Sequence, residues 1–347
     1  MTSTASSLPR RGVARCLAAA VLFGASAPAA SVLAGDMPTL VLAGLLYLGA
    51  ALAVLPAVAR HRPSTTALRA GGRPLALAVL FGGAIGPVLL VAGLERIPAA
   101  SASLLLNFEL VATIALAALV FHEHLGRRLL AAVALITVAG MLLVWEPGAA
   151  IDLGGLLVIG ACIAWGIDNS VTARIDQLRP EQITFAKGAV AGTANLLLGI
   201  AVAAAWQVEF RHLAAALLIG ALGYGLSITL WVKGARDLGA ARGQVIFATA
   251  PFVGALLSWT LLGESITVLQ AVAVPLAAGG VALSLRTSHE HLHRHEPVEH
   301  EHEHTHDDHH QHAHPGRTSE RHTHRHRHES VEHSHPHVPD LHHGHPH

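Results

Sequence analysis

The chain has 347 residues, of which 52% are hydrophobic and only 13% are charged, and its formal net charge is zero. Charges are sparse before residue 288, and most of the 27 histidines lie in the segment from Ser288 to His347. Such sparse charge excludes a water-soluble enzyme, and the absence of apolar–polar alternation excludes an outer-membrane barrel.

Charged, proline and glycine clusters divide residues 13–286 into ten apolar stretches. About 20 apolar residues cross the hydrocarbon core as a helix, and a helix satisfies its own backbone hydrogen bonds in lipid. We therefore predict an all-α integral membrane protein with ten transmembrane helices after a cytoplasmic N-terminus of residues 1–12. The predicted spans, numbered 1 to 10, are 13–34, 38–59, 74–95, 98–121, 128–146, 154–174, 184–206, 213–235, 240–262 and 266–286.

Arginine and lysine are distributed unevenly among the connections between these spans. With the N-terminus inside, the cytoplasmic connections hold fourteen of them, and the opposite side holds only Arg96 and Arg211. Positive loops stay in the cytoplasm. The strong preference for arginine over lysine is also typical of a GC-rich bacterial genome. We expect a multi-pass protein of the bacterial plasma (inner) membrane with both termini in the cytoplasm.

An internal repeat appears when the chain is compared with itself, because residues 93–121 superimpose on 234–262 without gaps. In this register, which we call the repeat register, Glu123 falls on Glu264, each just after its span. In a register one position longer, Phe23-Gly24 in span 1 corresponds to Trp165-Gly166 in span 6.

The repeat divides the membrane region into two five-helix halves, residues 13–146 and 154–286. Five is odd, so the second half enters the membrane upside down, as in alternating-access transporters whose substrate site lies near the midplane between the halves. The first stretch follows Arg10, Arg11 and Arg15, as a signal peptide would. We expect it to be retained, because the repeat requires span 1.

Four motifs lie at the start and end of span 4 and in and just after span 9: Ile97-Pro98-Ala99-Ala100-Ser101-Ala102, Leu119-Val120-Phe121-His122-Glu123, Ala250-Pro251-Phe252 and Leu261-Leu262-Gly263-Glu264. In these motifs the chain resembles the EamA-like branch of the drug/metabolite transporter superfamily. The resemblance implies ten helices in two inverted five-helix repeats, and a secondary carrier that commonly exports metabolites, amino acids or toxic compounds. It implies contact with the lipid bilayer and with a small-molecule substrate. It determines neither the identity of the substrate nor whether the protein forms a homodimer.

One departure from the family pattern concerns the middle of span 4. Leu110 stands where the repeat places Pro251, and Glu109 precedes it. A charged side chain near the bilayer centre costs about 2.5–3.5 kcal/mol even on insertion scales. Apolar surroundings disfavour the charged form, so Glu109 is predicted to exchange a proton during transport, the alternative being a structural hydrogen bond.

A second polar group is predicted around spans 6 and 7. A short connection between these spans brings Asp168 toward Lys187, and pairing lowers the burial cost of both charges. A static ion pair, or a lysine that reaches the interface, is the alternative. The complete predicted substrate and proton pathway is Glu109, Asn107, Asp168, Asn169, Lys187, Asn195 and Trp165.

Three residues near helix ends are assigned structural roles. Glu123 and Glu264 lie at predicted membrane edges, where a charge is cheap, so helix capping or loop fixing is favoured over ligand contact. Pro251 is the span 9 proline that the resemblance implies.

The tail, residues 288–347, has too little apolar surface to fold and is predicted to be disordered and cytoplasmic. Neutral imidazole binds Zn, Ni, Co and Cu ions, although contact with anionic lipid is an alternative use. No cofactor is required. The predicted metal ligands are His289, His291, His293, His295, His300, His302, His304, His306, His322, His324, His326 and His328.

Three functions remain open at this stage, of which a metal-sensing membrane regulator without transport activity is the least favoured. The first is an exporter of a small organic metabolite or drug-like solute with a metal-binding tail. The second is a Zn, Ni or Co exporter fed by the tail, which is disfavoured because the predicted spans contain no histidine. No phosphate-binding loop or nucleophile constellation occurs, so we expect neither enzymatic activity nor nucleic-acid binding.

Overall fold

A computed structural model gives the structure of the chain. It describes residues 10–121, 127–144, 152–172, 175, 177–203, 209–238, 243, 246–284, 289–294, 299–304, 322–327 and 332–337. The membrane region and the tail form separate compact units and are described separately.

The first half of the membrane region consists of apolar helices joined by short connections. A short helix, Thr65–Ala70, precedes span 3, and the Ser64 side chain caps it by accepting the Ala67 N–H at 3.1 Å. The helices are Arg10–Ser31 (span 1), Thr39–Arg60 (span 2), Gly72–Leu77, π-helical Ala78–Ile85 and Gly86–Leu94 (span 3), Ala99–Leu105 and Phe108–Phe121 (span 4), and Arg127–Val144 (span 5).

The second half also contains five spans, with π-helical segments in spans 7 and 8. Its helices are Leu153–Thr172 (span 6), Pro180–Ala186, π-helical Lys187–Ala191 and Gly192–Val202 (span 7), Phe210–Gly220, π-helical Ala221–Leu226 and Ser227–Leu238 (span 8), Ala250–Leu261 (span 9) and Val268–Ser284 (span 10).

Eight helices among the described residues, those of spans 1 to 8, are long and apolar enough to cross a membrane. The helices of spans 9 and 10 are apolar but shorter, with 12 and 17 residues. The prediction is therefore confirmed for eight of the ten spans. Span 9 is shorter than predicted because its regular helix begins only at Ala250, and most of residues 239–245 lie outside the described part of the chain.

Spans 4 and 9 are interrupted at equivalent positions. A turn at Leu106 and Asn107 separates the two helices of span 4, and a turn at Ala248 and Thr249 precedes the helix of span 9. The repeat register places Asn107 on Ala248, so one span of each half has a turn at this position, and we call spans 4 and 9 the broken spans. The structure thus supports the repeat predicted from the sequence.

The π-helical segments of spans 3 and 8 show the same correspondence. The repeat register places residues 80–85 on 221–226, so Gly82 coincides with Gly223 inside the two segments. Single π-turns are rare and occur frequently at functional sites.

The halves meet through equivalent pairs of spans. Span 1 packs against spans 8 and 9, and span 6 packs against spans 3 and 4. A Cβ atom added to Gly24 would meet the Ala250 carbonyl and the Val253 Cβ, while one added to Gly166 would lie 3.0 Å from the Ala112 Cβ. Ala112 and Val253 coincide in the repeat register, so this packing supports the assigned match between spans 1 and 6.

The outer surface is apolar. Leu119, Phe210 and Leu261 are each at least 75% exposed. Many exposed large apolar side chains fit a lipid environment better than water.

The tail contains four short strands in the described residues. His289–Arg294 pairs antiparallel with Glu332–His337, and Glu299–His304 pairs antiparallel with His322–Arg327. These strands differ from the predicted disorder, because alternation of histidine with other residues has the two-residue period of a strand. The disordered tail is therefore not confirmed.

Candidate functional site

A buried ion pair joins spans 6 and 7. Lys187 Nζ lies 2.6 Å from Asp168 Oδ2, and the Thr172 hydroxyl donates to Asp168 Oδ1 at 3.0 Å. The Asp168 side chain is 7% exposed and that of Lys187 16%. Both carboxylate oxygens thus have partners, so this pair is neutral as a unit and its burial cost is reduced.

Glu109 forms the second polar contact, between spans 4 and 6. The Asn169 side-chain amide donates to Glu109 Oε1 at 2.7 Å, and Glu109 lies within electrostatic range of Asp168 and Lys187. Glu109 is the second residue of the helix that follows the span 4 break, where the helix dipole favours a negative charge. Within the described residues no cation forms an ion pair with this carboxylate.

Gly82, in the π-helical segment of span 3, connects the ion pair to an aromatic contact. Its carbonyl oxygen accepts the Tyr47 hydroxyl at 2.5 Å and the Trp165 indole N–H at 3.1 Å. A Cβ atom at this position would overlap the Asp168 carboxylate, so only glycine admits this close approach. Spans 3, 4, 6 and 7 therefore each bring a polar group to the region around Asp168.

Two predicted pathway residues fix the backbone rather than join this cluster. The Asn107 amide donates to the Leu104 carbonyl at 2.9 Å, so it stabilises the turn that interrupts span 4. The Asn195 amide donates to the Ala84 carbonyl at 3.2 Å and holds span 7 against the π-helical segment of span 3.

The predicted helix-end residues have different outcomes. Glu264 accepts the backbone N–H groups of Ala99 and Ala100, at 2.7 and 2.9 Å, so it caps the first helix of span 4. Pro251 is in the first turn of the span 9 helix, where a proline costs no hydrogen bond. Glu123 lies outside the described residues.

The predicted metal ligands are described only as backbone. Within the described part of residues 10–284, no three His, Cys, Asp or Glu side chains converge in a way that would hold a metal ion. Metal binding by the tail stays a prediction. His289, His291, His293, His300, His302, His304, His322, His324 and His326 lie in strands, and His295, His306 and His328 lie outside the described residues.

Tyr47 was not among the predicted site residues, and it belongs to a row of aromatic side chains. The ring centroid of Tyr47 lies 5.6 Å from that of Tyr224, and Phe23 lies 6.0 Å from Tyr224 and 5.3 Å from Phe247. Trp231 continues the row, 5.8 Å from Phe247. The available signal was composition, since Tyr47 and Tyr224 are the only two tyrosines of the chain.

Two repeated halves, a broken span in each and a charged cluster between them are typical of a membrane transport protein. The sequence pattern of the EamA-like transporter family matches residues 10–145 and 152–286, once in each half. The chain belongs to this family.

Individual relatives agree with this assignment. An uncharacterized protein of Pseudomonas aeruginosa is 32% identical over 69% of this chain and 81% of its own length. An uncharacterized transporter of Methanothermobacter thermautotrophicus is 26% identical over 57% of this chain, and the match spans 60% of that relative. A protein of Salmonella typhimurium named as a probable amino-acid metabolite efflux pump is 35% identical over 42% of this chain and 47% of its own length.

A solved crystal structure shares the fold. It superimposes with a TM-score of 0.55 over 79% of this chain and 96% of its own, at 19% sequence identity.

Proposed function

We propose that the protein exports a small organic metabolite or drug-like solute by alternating access. The observation that carries the proposal is the pair of broken spans, 4 and 9, at equivalent positions of the two repeated halves. Inverted-repeat carriers bind substrate at such discontinuous helices near the membrane midplane. The name of the Salmonella typhimurium relative favours export, and an amino-acid metabolite is one solute to be tested.

Glu109 is the residue that couples transport to protons in this proposal. Asp168 is already neutralised by Lys187, whereas Glu109 receives only the Asn169 amide from the described side chains. An unneutralised carboxylate inside a membrane protein is costly, so it exchanges its charge for a proton or a bound cation. Proton uptake from one side and release to the other would then drive solute in the opposite direction.

The experiment uses the full chain reconstituted in vesicles that contain a pH-sensitive dye. Amino acids and organic amines are added one class at a time under an imposed proton gradient. We expect at least one class to cause proton flux, and Glu109→Gln to lose this flux while folding normally. Glu95→Gln is the matched control, because Glu95 contacts Thr39 and Arg96 near the end of span 3 and lies outside the cluster. Equal flux in Glu109→Gln and the parent would overturn the coupling role.

The orientation follows from the positive residues of the connections: both termini lie in the cytoplasm of a bacterial inner membrane, and the protein binds lipid around its whole perimeter. We place the histidine-rich tail in the cytoplasm, where it binds transition-metal ions as a local store.

A metal exporter fed by the tail is the second candidate function, favoured by the concentration of histidines in residues 288–347. Cells that lack the protein are challenged with Zn, Ni, Co or Cu salts, and their metal content is measured. Full-length protein, a truncation ending at Thr287 and Glu109→Gln are compared. Lower metal content that requires Glu109 supports metal export. Unchanged content, or a rise that requires the tail, overturns metal export and leaves the organic solute.

A further inference from the structure

Glu264 links the second half of the chain to the first. It follows span 9 directly after Gly263, whose φ of 69° lies in the left-handed region that glycine adopts without strain. This turn directs the carboxylate to the beginning of span 4, where its two oxygens accept the Ala99 and Ala100 N–H groups. The first N–H groups of a helix have no partner within the helix, and a carboxylate there also interacts favourably with the helix dipole.

Gln270 reinforces this link from span 10. Its side-chain amide donates to the Ser101 hydroxyl at 2.9 Å, and its carbonyl oxygen accepts the Thr267 N–H at 3.0 Å and the Trp259 indole N–H at 3.3 Å. Gln270 is only 2% exposed, so each of these bonds forms away from water. Three consecutive residues at the beginning of span 4 are therefore held by the opposite half.

The region immediately beyond this link has no comparable polar contact. Ser103 packs against Gly254 of span 9, and a Cβ atom at Gly254 would lie 2.6 Å from the Ser103 hydroxyl oxygen. That hydroxyl is buried without a hydrogen-bond partner in the described part of the chain. Small residues allow the backbones of spans 1, 4 and 9 to approach closely here, and such a contact can separate without breaking hydrogen bonds.

We propose that Glu264 and Gln270 form a latch that holds the two halves together on the face where span 4 begins. The latch must release before the solute pathway opens to that face. This inference rests on the proposed alternating-access function, and the orientation given above places the latch on the outer face. The carboxylate acts as a positioning group, because its contacts are backbone N–H groups and not the solute.

The repeat supplies a comparison residue on the other side of the membrane. The repeat register places Glu123 on Glu264, and Ala240 and Ala241 on Ala99 and Ala100. These three residues of the other face lie outside the described part of the chain. Glu123→Gln is therefore used only as a comparison variant, expected to favour the opposite conformation.

The test measures how fast a cysteine at position 103 reacts with a membrane-impermeant maleimide added outside. Cys16 and Cys162, both free and buried, are first replaced by alanine in the full chain, and Ser103→Cys is introduced. We expect Glu264→Gln and Gln270→Ala each to raise the labelling rate about tenfold. Each substitution removes or weakens hydrogen bonds of a charged or a fully buried side chain, and this typically changes an equilibrium constant on the order of tenfold. Glu95→Gln, on the same face but bonded only within the first half, should leave the rate unchanged.

Unchanged labelling in Glu264→Gln overturns the latch. An equal rise in Glu95→Gln or Glu123→Gln also overturns it, because it indicates general loosening rather than release of one face. No solute is needed for this measurement. A labelling change without solute flux in any variant would count against the transporter proposal and leave the latch standing.

Discussion

The contact between spans 3 and 6 and the contact between spans 8 and 1 are one arrangement built twice. In the first, Gly82 of the π-helical segment faces Asp168; in the second, Gly223 faces Ser26, with 2.5 Å between an added Cβ atom and the serine Cβ. Gly82 and Gly223 coincide in the repeat register, and Ser26 and Asp168 coincide in the register that matches spans 1 and 6.

The two contacts also satisfy the π-helical carbonyl groups in related ways. The Gly82 carbonyl accepts the Tyr47 hydroxyl and the Trp165 indole, whereas the Gly223 carbonyl accepts the Ser227 hydroxyl from one turn further along span 8. Ser227 corresponds to Gly86, and the Trp165 indole occupies the space that a side chain at Gly86 would take. The same backbone requirement is met by different residues.

The buried charges, in contrast, belong to one contact only. Spans 1 and 8 are joined by an ion pair of their own, Arg15 with Asp237, but its side chains are 41% and 33% exposed. Asp168 of the first contact corresponds to Ser26 of the second, and Glu109 of span 4 corresponds to Ala250 of span 9. The repeat thus provides two equivalent helix contacts, which we call the first frame (spans 3 and 6) and the second frame (spans 8 and 1). The buried ion pair lies in the first frame. This agrees with the general rule that a fold supplies positions whereas individual residues supply function.

The largest expected effect comes from removing the cation of the buried ion pair. Lys187→Met leaves the Asp168 carboxylate buried without its cation, which should lower the free energy of unfolding by about 3–5 kcal/mol. Unfolding of the purified protein in mixed detergent micelles, followed by circular dichroism, measures this change. Ser26→Ala in the second frame should cost about 1 kcal/mol or less, because its hydroxyl donates to the Phe23 carbonyl of its own helix and its other side-chain partner, Tyr224, is uncharged.

A double variant separates charge from packing in this prediction. Asp168→Asn combined with Lys187→Met removes both charges and should recover most of the lost stability. A double variant as unstable as Lys187→Met alone would show that the lysine chain is needed for packing, and would contradict the ion-pair account.

A smaller effect on the free energy of unfolding is expected at the glycines of spans 1 and 6 that pack against the broken spans 9 and 4. Gly24→Ala places a methyl group against the Ala250 backbone carbonyl, which cannot move without displacing the start of the span 9 helix, so we expect a loss of about 2–3 kcal/mol. In Gly166→Ala the contact is 3.0 Å from the Ala112 methyl group, and the gain of about 1 kcal/mol from alanine in a helix offsets much of the strain. The same detergent titration compares the two variants. Equal losses would indicate that the two frames are packed alike.

The sequence predicts the spans and their repeat better than it predicts the breaks within spans 4 and 9. Continuous apolar stretches and the internal repeat were sufficient for spans 1 to 8 and for the two halves. The span 9 break was not predicted, although Pro251 lies in the first turn of the helix that follows it, where proline is favoured. The equivalent break at Leu106 and Asn107 carries no glycine or proline and was not predicted.

The candidate site was predictable where burial of charge is costly. Glu109, Asp168 and Lys187 stand out in apolar spans for that reason alone. Tyr47 and Gly82 do not, because a tyrosine or a glycine in a span is ordinary, and their roles arise from a π-helical carbonyl that only tertiary structure reveals. The Glu264 carboxylate was predicted to fix a helix end, and the helix that it caps in the structure belongs to the opposite half of the chain.

The smallest expected effect distinguishes the hydrogen bonds of the two π-helical carbonyls. Ser227→Ala removes the side-chain donor of the Gly223 carbonyl and should cost about 1 kcal/mol. Tyr47→Phe leaves the Trp165 indole on the Gly82 carbonyl, so it should cost about half as much or less. Detergent titration of both variants gives the difference, and solute flux in vesicles provides a second measurement. If Tyr47→Phe costs little stability but abolishes flux, the hydroxyl acts on the solute pathway, and the functional part of the first frame includes span 2. If it costs more than Ser227→Ala, the second donor does not compensate, and the comparison between the two carbonyls fails.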